Sequence, residues 1–248
     1  MPSLNTLKQE AKQLNGAAQV GVYSFTLLFW AITTVLTAVN RYLNRSALAE
    51  QLLTLTARAD LPDAFSAVND VLQTAAQSGP AVSPAVLTFA GVFILLLNAL
   101  LSAGYTLYMM GIRRREQMSY DALFDGFAFA GKIIALELWR TLVVAVWSML
   151  FIVPGIVVYY RYSFALYALL DDPNISVLDA LNVSRQHTRG YKWQLFLLDL
   201  SFLGWGVLSA LTGGLASVYA KPYREQTWLG FYRAVKPDAP SGEDPANP

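Results

Sequence analysis

TLVVAVWSMLFIVPGIVVYY, residues 141–160, is a run of 20 residues without a charged side chain, and it decides the fold. A helix of about 20 apolar residues crosses a bilayer. The apolar region around this run covers 133–170, and as one helix it would be about 57 Å long, against a hydrocarbon core of about 30 Å. The chain must therefore fold back. Pro154 breaks the helical hydrogen-bond ladder and Gly155 permits a turn, so the corner is predicted there, between antiparallel helices at about 133–153 and 155–170.

Three further regions have the same apolar character. Residues 17–39 and 82–112 are uncharged over 23 and 31 residues, and the third region covers 195–220. In that third region Gly213–Gly214 favours a hairpin whose second helix begins at about Leu215, although one tilted helix followed by an interfacial helix is also compatible with the pattern. The expected fold is an all-α transmembrane bundle of about six membrane segments in three hairpins.

The distribution of basic residues predicts the topology. With six segments, the basic residues of the N-terminal stretch, the 113–132 and 171–194 connections and the C-terminal stretch lie on one side, which the positive-inside rule assigns to the cytoplasm. The opposite side then holds the 41–81 loop, whose basic residues are Arg41, Arg45 and Arg58. Five segments would place the C-terminal basic residues outside. We therefore expect a single transmembrane domain over 1–236, with both termini in the cytoplasm of a cell membrane.

Two parts of the chain lie outside the predicted spans and their short connections. The 41–81 loop has the pattern of two short helices, at about 46–58 and 63–77, and is expected to be extracytoplasmic. Residues 237–248 are rich in Pro and acidic residues, a composition typical of disorder.

Three short stretches precede apolar segments and share a pattern. Residues 3–16, 119–131 and 176–190 each begin with Ser, a good N-cap, and end with Gly, a good helix terminator. They indicate a repeated unit of a cytoplasmic amphipathic helix, a Gly corner and a membrane hairpin, with chance similarity as the alternative. The third stretch carries an apolar stripe and, near its end, basic residues predicted to contact lipid headgroups: Arg185, Arg189 and Lys192.

Four charged residues lie in apolar surroundings, namely Glu137, Arg140, Arg161 and Asp199. A charge at mid-bilayer costs about 3 kcal/mol, so such side chains usually face a partner inside the protein. Glu137 and Arg140 have the spacing of a local pair. Arg161 is expected to face the bundle interior and to bond Glu137, Asp199 or backbone carbonyls. The four form either a polar site for a lipid headgroup or ion, or a structural ion-pair cluster, and the structural interpretation is favoured.

The composition excludes several classes of function. The chain has no cysteine and one histidine, His187, so thiolate chemistry and multi-histidine metal sites are excluded. His187 is expected to be exposed at the interface. A net charge of +1 offers no field for nucleic acid. No catalytic motif or phosphate-binding loop is evident, and we expect neither an enzyme nor a cofactor or metal site.

A resemblance to a known family becomes specific at this point. The stretches "DDPNISVLDALNVSRQHTRGYKWQLFLLDLSFLGW", "VPGIVVYYRYSFALYALLDDP", "LKQEAKQLNG" and "PYREQTWLGFYR" resemble the bacterial membrane family known as domain of unknown function 975. The resemblance covers nearly the whole chain except 41–81 and the tail after Lys236. That family is distantly similar to the membrane domain of some glycerophosphodiester phosphodiesterases. The resemblance implies a polytopic membrane protein and carries over no reaction, substrate or catalytic residue.

Two functions follow as expectations. The first is a non-enzymatic module that organises membrane lipids, with anionic headgroups as partners, or an unknown partner protein. The alternative is a small transporter or lipid-handling permease with a polar site inside the membrane.

Overall fold

All regular structure in the described residues is helical, as the sequence predicts. The computed structural model describes residues 3–17, 21–44, 70, 73–74 and 83–236. Within those ranges the helices are α1 (Leu4–Ala17), α2 (Val22–Leu43), α3 (Pro84–Arg113), a 3-10 helix (Tyr120–Phe129), α4 (Ala130–Leu150), α5 (Ile152–Arg161), α6 (Ala165–Asp171), α7 (Val177–His187), α8 (Lys192–Leu200), α9 (Leu203–Leu211) and α10 (Leu215–Val235). The two short helices predicted at 46–58 and 63–77 and the predicted tail at 237–248 lie outside the described residues.

Five helical stretches in the described part of the chain are long and apolar enough to cross a membrane. They are Val22–Leu43, Ala85–Arg113, Tyr120–Leu150, Ile152–Asp171 and Lys192–Leu211. Large apolar side chains on these stretches point outward, as at Met149, which is 92% exposed, and Ile152, which is 76% exposed. Outward apolar side chains suit a lipid environment. The helix α10, which carries Lys221, Pro222, Arg224 and Glu225, is not among the five, so the sixth predicted segment is not confirmed.

The chain divides into two units. One comprises residues 1–30 and 99–248, and the other comprises residues 31–98. In the second unit the side chain of Asn40 on α2 lies beside Gly91 on α3. In the first unit α1 packs along α10, and the core includes Phe164, Phe231 and Leu195. The single transmembrane domain over 1–236 stays a prediction.

The predicted fold-back within 133–170 is present, but the corner lies three residues before Pro154. Phe151 is extended, with φ −155° and ψ 142°, and separates α4 from α5. Pro154 is the third residue of α5, where a missing N–H costs little because the first-turn N–H groups have no partner within the helix. A Cβ at Gly155 would lie 2.8 Å from Cα of Ser148. Gly155 therefore allows α5 to pack closely against α4 rather than forming the turn.

The returning chain ends beside the start of α4. Lys132, in the first turn of α4, donates from Nζ to the carbonyl oxygens of Pro173 and of Ile175, the latter at 3.1 Å. Because these carbonyls follow α6, the segment made of α5 and α6 runs antiparallel to α4. The predicted antiparallel hairpin is therefore confirmed.

The last apolar region is also a hairpin, as the first of its two interpretations predicts. Gly213 and Gly214 have φ of +61° and +96°, in the left-handed region that favours glycine. They separate α9 from α10. Rings then pair across the two arms, with Trp205 and Tyr219 at 5.2 Å and Phe202 and Tyr223 at 5.1 Å between centroids.

The three Ser-to-Gly stretches differ in structure. Ser3 and Ser176 accept hydrogen bonds from backbone N–H groups three residues later, at 3.2 and 3.1 Å, but Ser119 makes no such cap bond. Among the glycines that end the stretches, Gly190 has a positive φ, at 86°, whereas Gly131 lies inside α4. The predicted Gly corner is therefore correct for the third stretch and wrong for the other two, because Gly16 also lies inside a helix, α1.

The second stretch is a 3-10 helix because it lies very close to α3. A Cβ at Gly104 of α3 would lie 2.6 Å from the carbonyl carbon of Leu123, and one at Gly126 would lie 2.9 Å from the backbone nitrogen of Gly104. Two glycines from opposite sides thus allow the backbones to touch. This contact between segments outweighs the local capping signal at Ser119.

Candidate functional site

The structure separates the four charged residues that were predicted as one cluster. Glu137 and Arg140 form an ion pair within α4 at 2.6 Å, which confirms their predicted local pairing. Both side chains remain about 30% exposed, at 30% and 28%. Asp199 on α8 belongs to a different group of side chains, described below.

In the described part of the chain the side chain of Arg161 bonds neither an acid nor a backbone carbonyl, so its predicted bond to Glu137, Asp199 or a carbonyl is wrong there. Its guanidinium lies 5.6 Å from the ring centre of Tyr162, and its Nε atom is buried without a hydrogen-bond partner. Its backbone carbonyl accepts from Ser184 Oγ at 2.9 Å and Thr188 Oγ1 at 3.2 Å. The residue ends α5, and this carbonyl fixes α7 against the end of α5.

Asp199 instead binds Arg224 across the last hairpin. Nη2 of Arg224 donates to Oδ1 of Asp199 at 2.7 Å, and the Tyr160 hydroxyl donates to Oδ2 at 3.0 Å. The Asp199 side chain is 19% exposed, while that of Arg224 is 49% exposed. Three elements, α5, α8 and α10, thus meet at one carboxylate.

A cavity of about 470 Å³ opens beside this ion pair. Its wall contains four charged residues, Asp199, Lys221, Arg224 and Glu225. The remaining lining is mainly apolar or small and comes from α9, from α10 and from Phe202, which directly precedes α9: Phe202, Leu203, Trp205, Gly206, Ser209, Ser217 and Ala220. The cavity therefore has a charged part and an apolar part.

The two acids of the cavity are held by hydrogen bonds. Oε1 of Glu225 accepts from Thr106 Oγ1 at 3.0 Å and from the Tyr167 hydroxyl at 3.2 Å. Asp199 has the partners given above. Both carboxylates are therefore satisfied by groups of the protein itself.

Lys221 is placed differently. Its Nζ lies 3.8 Å from the ring centre of Phe29 and 4.9 Å from that of Tyr105. Among the described residues, no hydrogen bond or ion pair is made by this nitrogen. Burial is the main cause that lowers the pKa of Lys221 to about 8; Glu225 opposes the shift and Arg224 adds to it. The ammonium thus faces the cavity with unused N–H donors.

Two lysines of α1 lie over aromatic rings of the last hairpin, and only the ring next to Lys8 belongs to the cavity wall. Nζ of Lys8 lies 4.9 Å from the ring centre of Phe202, and Nζ of Lys12 lies 5.5 Å from that of Tyr223. Both come from α1, which packs along α10. Basic side chains therefore surround the aromatic residues at this end of the last hairpin.

The predicted headgroup contacts are Arg185 on α7, Arg189 just after α7 and Lys192 at the start of α8. The helix α7 itself packs against other helices of the protein. The predicted stripe of α7 is largely buried, with Ala180 and Ser184 at 0% exposure. Arg185 and Arg189 are exposed and Lys192 is half-buried. The stripe therefore binds α6 and α4, and the basic residues face away from it.

His187 is buried, so its predicted exposure is wrong. Its ring lies 5.7 Å from that of Tyr232, and burial lowers its pKa, with Lys236 adding to the shift. The helix α7 was expected to be an interfacial helix, but it packs on α6 and α4, and Tyr232 of α10 lies beside this side chain.

The main cavity residues that were not predicted from the sequence are Lys221, Arg224 and Glu225. They lie in the segment predicted as either the last membrane segment or an interfacial helix. Their spacing of three and four residues places them on one helical face, and that spacing was the available signal. Their partners on α2, α3, α6 and α8 are distant in sequence.

The fold and this cavity define a helical protein with membrane-span-like helices and a partly charged cavity at the last hairpin. Residues 130–239 match the family model described as Protein of unknown function (DUF975). The match spans the segment from α4 to α10, and over that segment it supports the resemblance seen in the sequence. The match does not extend to the N-terminal stretch, and the similarity to glycerophosphodiester phosphodiesterases is not supported. No curated protein and no solved structure matches the chain.

Proposed function

We propose that the protein is a non-enzymatic module of the bacterial cell membrane that gathers anionic phospholipids, and through them partner proteins, at the cytoplasmic face. In this proposal both termini are cytoplasmic. The basic residues at the helix ends attract lipid phosphates, and the apolar helices hold these basic residues at the depth of the lipid headgroups.

The observation that carries the proposal is the convergence of charged helix ends. Arg113, at the end of α3, binds Glu10 of α1 at 2.6 Å and the backbone carbonyl of Gln226 in α10 at 3.0 Å. Asp171, at the end of α6, binds Arg114 at 2.7 Å and Lys236 at 2.5 Å. The ends of α3, α6 and α10 therefore lie together with α1, as they would at one face of a membrane.

The exposed side chains near α7 support a lipid contact at the same end. Trp193 and Leu178 are 66% and 62% exposed, close in sequence to the exposed Arg185 and Arg189. Tryptophan is enriched at membrane interfaces, and arginine pairs well with phosphate. This combination favours a surface that touches headgroups.

The test measures lipid enrichment around the protein. The full chain, reconstituted in vesicles of mixed phosphatidylglycerol and phosphatidylcholine, is extracted in native nanodiscs and the lipid ratio is determined by mass spectrometry. The double variant Arg185→Gln/Arg189→Gln is expected to lose anionic enrichment by about fivefold per charge, because each basic residue near an anionic surface contributes ~1 kcal/mol. Arg41→Gln, in the last turn of α2, is the control and should keep the anionic enrichment of the parent. Equal enrichment in parent and double variant would contradict the proposal.

The cavity favours one alternative, a lipid-handling permease. A charged cavity next to a membrane-span-like helix is a feature of sites that hold a polar group inside the membrane. Vesicles containing the protein and a fluorescent phospholipid distinguish the two functions. Movement of the label between leaflets, faster than in empty vesicles and slowed by Asp199→Asn, favours the permease; no movement favours the module.

A further inference from the structure

We propose that the cavity between α8, α9 and α10 is a discrete binding site for the phosphate group of a glycerophospholipid, with Lys221 as its principal contact. The inference rests on the proposed lipid-binding function and assigns it a specific site, separate from the basic residues of α7.

The first argument is the state of the charges in the cavity wall. Asp199 and Glu225 are each held by two donors of the protein. Lys221 has aromatic rings on one side and no acceptor among the described residues. Arg224 uses Nη2 for Asp199, and a guanidinium carries five N–H donors. The donors left over in the cavity are therefore cationic, and they suit an anion.

The second argument is the position of Lys221. Rings at 3.8 and 4.9 Å stabilise an ammonium through cation–π attraction. They also hold the side chain in place without using its N–H groups. A held cation with free donors binds an oxyanion at a small cost in side-chain entropy.

The third argument is the apolar part of the cavity, which distinguishes a lipid from a small soluble anion. Leu203 and Trp205 lie on the membrane-span-like stretch Lys192–Leu211. Exposed Val207 and Leu211, at 57% and 79%, continue this surface along α9. A volume of about 470 Å³ accommodates a headgroup and glycerol rather than two acyl chains, which would lie along α9.

The test uses the full-length protein after lipid removal in detergent. Native mass spectrometry titrates it with dioleoyl phosphatidylglycerol, with dioleoyl phosphatidylethanolamine and with dioleoylglycerol, which lacks the phosphate. Lys221→Gln is expected to weaken phospholipid binding about tenfold, because a charge-assisted hydrogen bond is lost. Lys221→Arg should restore it. Lys12→Gln, which removes an exposed lysine that also lies over an aromatic ring, is the matched control and should bind like the parent.

A second arm separates a lipid from a soluble phosphate ester. If glycerol 3-phosphate at millimolar concentration displaces the phospholipid, the site also binds soluble phosphate esters. If it does not, binding requires contacts to the apolar part of the cavity. Either result supports a phosphate site that depends on Lys221.

Two results overturn the inference. One is equal phospholipid affinity in the parent and Lys221→Gln, with thermal unfolding showing that both are folded. The other is dioleoylglycerol binding as tightly as the phospholipids. Loss of binding in Lys221→Gln with unchanged lipid enrichment in the Arg185→Gln/Arg189→Gln variant would support this site while contradicting the broader surface proposal.

Discussion

At the scale of single residues, the partner of each charge depends on which helix faces it. The sequence places Arg161, Glu137 and Asp199 in apolar segments, and Arg161 was expected to bond one of the acids or backbone carbonyls. Asp199 instead meets Arg224 at 2.7 Å, because α10 folds back along α8 and α9. Local spacing correctly gave the Glu137–Arg140 pair. A pair between helices that are distant in sequence cannot be predicted from local spacing. The Asp199–Arg224 pair depends on the turn at Gly213–Gly214.

Lys221 should make stability depend on pH. Its pKa of about 8 in the fold lies below the value of about 10.4 expected in an unfolded chain. Between these values the unfolded chain binds more protons, so the free energy of unfolding rises with pH. The titratable groups that act on or contact Lys221 are Glu225 and Arg224 on its own helix and Tyr105 on α3, while Asp199 on α8 lines the same cavity.

Thermal unfolding of the lipid-free protein in detergent measures this effect. We expect the melting temperature of the parent to rise relative to that of Lys221→Met between about pH 8 and 10. The comparison with Lys221→Met removes the contribution of the other titrating groups. Parallel curves for the two proteins would show that Lys221 has an ordinary pKa.

Gly104 should be intolerant of any side chain. A Cβ there would meet the backbone of Leu123, with the carbonyl carbon at 2.6 Å, and overpacking against backbone costs about 1–3 kcal/mol. Gly131 has no atom within 4 Å of its Cβ position, so Gly131→Ala should be neutral or stabilise α4 by up to ~1 kcal/mol. Chemical unfolding in detergent of Gly104→Ala and Gly131→Ala gives both values. A Gly104→Ala protein as stable as the parent would contradict the close contact.

At the scale of helices, Ser176 and Ser119 provide a matched pair. Both serines were predicted as N-caps, but only Ser176 accepts the N–H bond, from Asp179 at 3.1 Å. Removing a cap costs about 1 kcal/mol. Ser176→Ala should therefore lower the free energy of unfolding by that amount, and Ser119→Ala should change it by a few tenths. An equal loss in both variants would mean that the 3-10 helix is capped as well.

The helices themselves were largely predictable, whereas their exact boundaries were not. Length alone required a fold-back in 133–170, and the structure has it at Phe151 rather than at Pro154. Proline is tolerated in the first turn of a helix, so Pro154 marks the start of α5 and not the corner. The glycine pair at 213–214 gave the second corner correctly because both residues have positive φ. The 3-10 helix could not be foreseen, since it results from contact with Gly104.

At the scale of the whole molecule, composition and periodicity predicted an all-helical fold with membrane-span-like helices. They did not predict the cavity. Its lining combines side chains of α8–α9 with side chains of α10, and this combination does not follow from hydrophobic periodicity. Lys221, Arg224 and Glu225 lower the hydropathy of α10, so α10 is not among the five membrane-span-like stretches. The same three side chains form part of the charged wall of the cavity. From the sequence this helix was predicted as a membrane segment or an interfacial helix, and not as part of a site.

Topology is the last prediction. The charged ends of α3, α6 and α10 converge with α1, and a chain with both termini cytoplasmic places them all on one side. The chain has no cysteine, so single cysteines can be introduced without background at Ser119, in the exposed connection after α3, and at Ser66, in the 41–81 loop. With an impermeant maleimide, Ser66→Cys should be labelled in intact cells, and Ser119→Cys should be labelled only after the membrane is opened. Labelling of both in intact cells would contradict the topology and, with it, a cytoplasmic position of the basic residues.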